Sequence, residues 1–531
     1  VGIYLNPGAD ALRRARNSKI YVDKSAFLAF TNSVLDTEQE YVCVSRPRRF
    51  GKSMAANMLC AYYDRTVDGA DAFAGLDIAD DPSFDEYRNR FDVIRLNMVD
   101  YWTKTHDVNA MLRRITLVVT HEVKRAYPEV GLLDEEDLPL VLGDVYAQTG
   151  HRFVIVIDEW DCLMREAMDD DAGQKAYLDW LRVLLKDKTY VVLAYMTGIL
   201  PIKKYGKHSA LNMFSEFSMT SADLLAPSMG FTEAEVRELC QQWNMPYDET
   251  KAWYDGYRLV WVHGDESAEI DVYSPQSIVE AMTRHSFEDY WNQTETFEAL
   301  KVYIDMNYDG LHDAVVALLA GDRRQINVGT FNNDMTTFAT ADDVLTLLVH
   351  LGYLGYDRET KEAFVPNREV AAEFVSATSV GGWDEVARAV QGSKDLLDAI
   401  IAGDEEAVAA GIAAAHQETS HISYNSEEAL SYTLSLGLYA ARQWYTVTRE
   451  LPAGKGFADL ALVPRRMYAN RPAILIELKW DKSADAAIAQ IHRKHYPAVF
   501  DQWLADGGEL ILAGVSYDKS TREHTCVIER C

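Results

Sequence analysis

The sequence predicts a multidomain α/β protein, and three observations carry that reading. The chain has 531 residues, too many for one ordinary hydrophobic core. Continuous apolar runs such as 153–157 in "HRFVIVIDEWD", typical of strands buried on both faces, alternate with helical periods in the N-terminal part. From 422 onward the pattern reads as helix, strand, hairpin, strand, helix, strand. A hydrophobic content of 48% with 25% charged residues fits a soluble globular protein. No apolar run reaches the roughly 18 residues of a membrane helix. The opening "VGIYLNPGADALRRARNSK" lacks an apolar signal core, so no membrane partner and a cytoplasmic location are expected. Six cysteines without a C-x-x-C pair suit a reducing compartment and give no zinc site.

Taken in order, "YVCVS" (41–45) is a short strand. The loop "SRPRRFGKS" follows, then "SMAANMLCAYYD" at helical period, the context of a phosphate loop. "DVIRLNM" (92–98), "HRFVIVIDEWD" (151–161) and "YVVLAYMTG" (190–198) add strands to a doubly wound parallel sheet, and the first domain is placed at 1–227. From Gly230 the composition turns helical, with Thr232 and Glu235 at capping-box spacing, and 228–300 reads as a helical lid. "ADDVLTLLVHLGYLGYDRETKEAFVPN" gives a helix and two short strands, a winged-helix-like outline within 301–380. Its helix carries no Lys or Arg, so it reads as a packing module rather than a groove reader. Ala- and Glu-rich helices then open a last domain at 381–531.

The loop carries the first chemistry. Gly51 permits close backbone approach, Lys52 would reach the β- and γ-phosphates, and Ser53 would ligate Mg²⁺. Against the spacing G-x-x-x-x-G-K-[ST], Arg46 stands where the first glycine belongs, and Pro47 supplies no N–H. Arg48 and Arg49, with Arg46, are expected to contribute phosphate contacts through their guanidinium groups. Asp158-Glu159 end a buried strand, a costly place for two acids without a task. Asp158 suits a Mg²⁺ of bound ATP, and Glu159 suits the polarising of an attacking water. Thr197, at the end of another strand, is placed to sense the γ-phosphate, and Lys203 and Lys204 follow it.

"YVDKS", "VSRPRRFGKS", "VIVIDEWD", "MTGILPIKK", "WYDGYR", "VYSPQSI" and "YWNQT" resemble, in this order, a large bacterial family. Its members pair an AAA-ATPase-like domain with a C-terminal nuclease-like domain. The resemblance implies an AAA-like P-loop sheet and makes the missing first glycine at Arg46 a family variant. It also implies a place near the nucleotide for Asp23 and Lys24.

The second constellation is Asp459 in "GKGFADLALV" and Glu477-Leu478-Lys479 in "AILIELKW". Adjacent antiparallel strands would bring Asp459 beside Glu477, and Glu477 and Lys479 would share a face. Two carboxylates and the Leu478 carbonyl suit Mg²⁺, with Mn²⁺ as substitute. Lys479 would orient a water and neutralise charge on phosphate. This resembles the PD-(D/E)xK nuclease core, and so implies a restriction-endonuclease-like α/β fold. By position Glu428 matches a further metal carboxylate, and Gln490 matches a glutamine that faces the site; Tyr496 lies six residues further on.

The net charge of −30 counts against a general nucleic-acid binder. Residues 440–500 run against it, with ten Lys/Arg and five Asp/Glu, as a local groove for nucleic acid would need. The sequence therefore points to an ATPase that regulates a Mg²⁺-dependent deoxyribonuclease, with DNA as partner and a homo-oligomer compatible with it. The rival is a nucleotide-dependent switch or scaffold whose nuclease-like domain binds without cutting.

Overall fold

The computed structural model describes residues 2–202, 210–291, 297–306, 308–378, 388–390, 392–418, 427–453 and 455–531, with the side chains of 297–299, 417, 418, 427–429, 432 and 467 excepted. The chain divides into two compact units, 1–295 with 325–370, and 296–324 with 371–531.

The first unit is built on a sheet of β1 (Tyr41–Ser45), β2 (Asp92–Asn97), β3 (Phe153–Asp158), β4 (Val191–Gly198) and β5 (Ser215–Phe217). The order is β2-β3-β4-β1-β5, and all four neighbouring pairs are parallel. β1, β3 and β4 are buried along their whole length, which is why their sequences run apolar without alternation. The register aligns the C-terminal ends: Asn97 pairs with Asp158, Asp158 with Thr197, and Ser45 with Gly198. Polar residues from four strands therefore meet at one edge, where open α/β sheets bind their ligands.

α1 (Lys52–Tyr63) follows β1 and sends Ala56, Leu59 and Tyr63 into the core. The segment expected to be helical carries α3 (Glu233–Gln242) and α4 (Pro275–Arg284), with α2 (Cys162–Glu166) earlier in the chain. It also carries an antiparallel sheet of β6 (Phe231–Thr232), β7 (Tyr257–His263) and β8 (Glu266–Tyr273) in the order β6-β8-β7. The alternation in "YRLVWVH" and the Gly264-Asp265 turn are the local cause. Thr232 and Glu235 form the capping box at the start of α3. α5 (Ala341–Leu351) precedes a hairpin that pairs Gly355–Asp357 with Glu362–Phe364. Residues 343–351 of α5 are buried, so little of this helix remains to lie in a DNA groove.

The second unit holds a mixed sheet of β9 (Tyr445–Ala453), β10 (Gly456–Pro464), β11 (Ala473–Trp480), β12 (Leu510–Asp518) and β13 (Glu523–Arg530), in that order. Only β11 and β12 run parallel, joined by a crossover through α7 (Ala484–Lys494). One face packs Leu460, Ile474, Ile476 and Leu478 against Leu430 and Leu434 of α6 (Glu427–Gly437). The other packs Ala473, Leu475 and Leu512 against Ile488 and Ile491 of α7.

Candidate functional site

The loop between β1 and α1 turns through two left-handed residues, Arg49 at φ 62° and Gly51 at φ 92°. Gly51 suits this conformation because it has no Cβ. A cavity of about 600 Å³ opens beside the loop, lined by Arg48, Arg49, Gly51, Lys52, Ser53 and Glu159. Its apolar wall comes from Ile20, Val22, Met58, Met229, Phe231 and Val279. Phe50 anchors the loop: its carbonyl accepts the Gly230 N–H at 3.0 Å and its ring meets Tyr257 edge-on.

Lys52 is buried and donates from Nζ to the Pro47 carbonyl at 2.8 Å. Burial pulls its pKa below the ordinary lysine value, and Glu159, Asp161 and Asp158 oppose that shift. Glu159, at φ 53°, is pushed up by burial, while Lys52 and Arg165 hold it down. Arg165 on α2 bonds Oε2 of Glu159 and, at 3.1 Å, Oδ2 of Asp161. That Asp161 oxygen also accepts the N–H groups of Ile199 and Leu200, just past the end of β4. Sequence reading missed Arg165 and Asp161, although both stand in "DEWDCLMRE" within six residues of Glu159.

Asp158 and Thr197 are fully buried and outside the cavity lining. Among the described residues Oδ2 of Asp158 and Oγ1 of Thr197 have no hydrogen-bond partner, and the Arg95 guanidinium stands 3.7 Å from the carboxylate. Such orphaned oxygens on paired residues of β3 and β4 are the atoms a hard cation or phosphate would satisfy. With Ser53 at the start of α1, the donor set fits Mg²⁺ and a triphosphate.

The expectation for Arg46 is corrected. Its guanidinium is fully buried and donates to the carbonyls of Ser45, Phe217 and Leu225. It braces the loop from below and does not face the cavity. Arg46→Ala should leave those carbonyls unsatisfied and lower stability by about 3 kcal/mol. Chemical denaturation checks this; unchanged stability would contradict the bracing role.

Asp23 and Lys24 also acquire places. Asp23 accepts the N–H of Ser25 and of Asp77. Lys24 lines the cavity and donates to the Pro227 carbonyl and to both carboxylate oxygens of Glu235, the capping residue of α3. Lys203 and Lys204 lie outside the described residues.

In the second unit, β10 and β11 pair from Leu462↔Ile474 to Leu460↔Ile476. At the next position the Asp459 carboxylate accepts the Leu478 N–H at 2.6 Å. Glu477 is 1% exposed, and its Oε1 accepts from Lys479 Nζ at 2.9 Å and from Gln490 Nε2 on α7. Lys479 also donates to the Leu478 carbonyl at 2.7 Å, and Gln490 reaches the Tyr496 hydroxyl at 3.4 Å. Asp459, Glu477, Lys479 and Gln490 are thus joined within one hydrogen-bonded neighbourhood. α6 carries Glu428, whose side chain lies outside the described residues. Among the described residues no group of three or more His, Cys, Asp or Glu is placed to hold a metal. Two carboxylates with a carbonyl between them are hard oxygen donors, which suit Mg²⁺ or Mn²⁺.

Residues 11–206 match the family described as predicted AAA-ATPase, and residues 427–526 match the PD-(D/E)XK nuclease superfamily. Among solved structures, a Walker-type ATPase of Pyrococcus abyssi is similar at 12% identity and a TM-score of 0.35, over 66% of this chain and 94% of that one. No curated protein matches the chain. Among the described residues no helix is long and apolar enough to cross a membrane.

Proposed function

We propose that this chain, in which an AAA-ATPase-like domain precedes a PD-(D/E)XK nuclease-superfamily domain, is an ATP-regulated, Mg²⁺-dependent deoxyribonuclease. The supporting observation is the buried Glu477, bonded to Lys479 and Gln490 beside Asp459. A buried ion pair adds little net stability, which favours a functional role for this one. Asp459, Glu477 and the Leu478 carbonyl would hold the cation, which supplies an activated water and charge neutralisation at phosphate. Lys479 would then face the phosphate, and Gln490 keeps Glu477 oriented. Glu428 is proposed as a further carboxylate on α6.

In the first domain Lys52, Ser53 and Asp158 would hold ATP and its Mg²⁺, with Arg48 and Arg49 at the phosphates. Glu159 would polarise water, and Thr197 would sense the γ-phosphate. The nucleotide state is proposed to govern cutting in a cytoplasmic setting.

The pH response of ATP hydrolysis tests Glu159. A general base must be ionised, and Arg165 favours that form of Glu159. Arg165→Met removes this support, so the acid limb of kcat should move to higher pH. A limb that stays in place, or moves down, would contradict a base role for Glu159.

A second reading has one observation in its favour. Lys479 bonds both Glu477 and the Leu478 carbonyl, so the same atoms form a closed salt-bridged cluster. A scaffold without cutting activity would keep that cluster. Mn²⁺ titration of the nucleotide-free full chain, followed by electron paramagnetic resonance, separates the two. The nuclease reading expects a Mn²⁺ site that Asp459→Asn and Glu477→Gln each remove. A wild-type chain with no site sensitive to these changes would support the scaffold.

A further inference from the structure

Phe457 stands at the turn end of the β9–β10 hairpin, two residues before Asp459, and is 61% exposed. Among the described residues it belongs to none of the hydrophobic clusters. Its neighbour Lys455 is exposed too, and the Lys455 N–H donates to the Lys494 carbonyl at 2.8 Å. A Cβ on Gly456 would come within 3.1 Å of the Tyr496 hydroxyl. The hairpin tip is therefore seated on the C-terminal end of α7, which also presents the exposed Arg493. Tyr496 in turn meets Gln490, which bonds Glu477.

The strand register places this tip at the cutting site. β10 and β11 stop pairing at Leu460↔Ile476, and just beyond that pair the Asp459 carboxylate accepts the Leu478 N–H, between Glu477 and Lys479. Two residues apart on one strand, Phe457 and Asp459 share a face of the sheet. Along the strand Phe457 lies about 7 Å from Asp459. A nucleic-acid strand with its phosphate at Asp459 and Glu477 would bring a neighbouring base to the Phe457 ring.

We infer that the β9–β10 tip is a nucleic-acid interaction surface, on which Phe457 stacks an unpaired base while Lys455 and Arg493 meet the flanking phosphates. The inference rests on the nuclease reading and adds to it a substrate class, DNA that is single-stranded at the cutting position. A base inside a duplex presents only its edges, so a lone exposed ring gains little there, whereas an unpaired base offers its whole face. The exposed Lys455 and Arg493 supply the matching charge at the tip, in a chain of net −30.

Fluorescence anisotropy of the full chain with labelled oligothymidine, and with a labelled duplex, tests the inference in EDTA, where no cutting occurs. Phe457→Ala should weaken oligothymidine binding roughly tenfold and leave duplex binding unchanged. Phe457→Trp should retain the affinity. Lys455→Glu should weaken both and flatten the salt dependence. Because Phe457 is exposed, the variants should melt like the wild type, which circular dichroism checks. If Phe457→Ala binds oligothymidine as tightly as the wild type, or loses both ligands equally, the stacking role is overturned while the nuclease reading stands. If the wild-type chain binds neither ligand and cuts neither with Mg²⁺, the nuclease reading falls together with it.

Discussion

Glu477→Ala and Lys479→Ala should each lower Mg²⁺-dependent DNA cleavage by roughly a thousandfold while ATP binds as tightly as to the wild type. The size of the effect follows from burial. Glu477 is 1% exposed and Lys479 is 7% exposed, so both charges act in a desolvated site where electrostatic interactions are stronger than in water. Glu477→Gln keeps the shape and the bond to Gln490, and removes the charge. Equal loss in Glu477→Ala and Glu477→Gln, with unchanged melting, would place the effect in the chemistry. A Lys479→Ala chain that cuts at the wild-type rate would remove the lysine from the reaction. Separation of the two activities is expected because the altered residues lie in the 427–526 match and the phosphate loop lies in the 11–206 match.

The second large effect belongs to Lys52→Ala. Lys52 is the buried cation of the loop, drawn below its ordinary pKa by burial, with Glu159, Asp161 and Asp158 as the anionic groups that oppose the shift. Its removal should weaken ATP binding about a hundredfold, the scale for losing one partner of a desolvated charge pair. Calorimetric titration with ATP and Mg²⁺ measures it. An unchanged affinity would mean that the loop does not hold phosphate through this residue. Arg48→Ala should weaken binding less, because Arg48 stands on an exposed part of the lining.

Much of this was legible in the residues. The apolar run 153–157 and its acidic end identified a buried strand, and β3 ends at Asp158 as its sequence suggests. Gly51-Lys52-Ser53 marks the turn into α1, with Gly51 left-handed and the helix starting at Lys52. "AILIELKW" gave β11, and the facing strand β10 brings Asp459 to the Leu478 N–H. Long-range partners were not legible. Arg46 sits where a phosphate contact is usual, yet its acceptors on Phe217 and Leu225 are more than 170 residues away in the chain. No local pattern announces a guanidinium that braces a loop against distant carbonyls. Lys24 has the same character, because its partner Glu235 belongs to a helix 211 residues on. The β7–β8 hairpin is masked in the sequence for a different reason: helical segments on either side dominate the composition of 228–300.

Nucleotide in the first domain is proposed to govern cutting by the second. The most direct measurement is the rate of DNA cleavage by the purified full chain with Mg²⁺, with and without ATP, in the wild type, Lys52→Ala and Glu477→Ala. The wild type should cut at a rate that changes with ATP, Lys52→Ala should cut without responding to ATP, and Glu477→Ala should not cut. Cleavage that ignores ATP in the wild type, or that survives in Glu477→Ala, would contradict it.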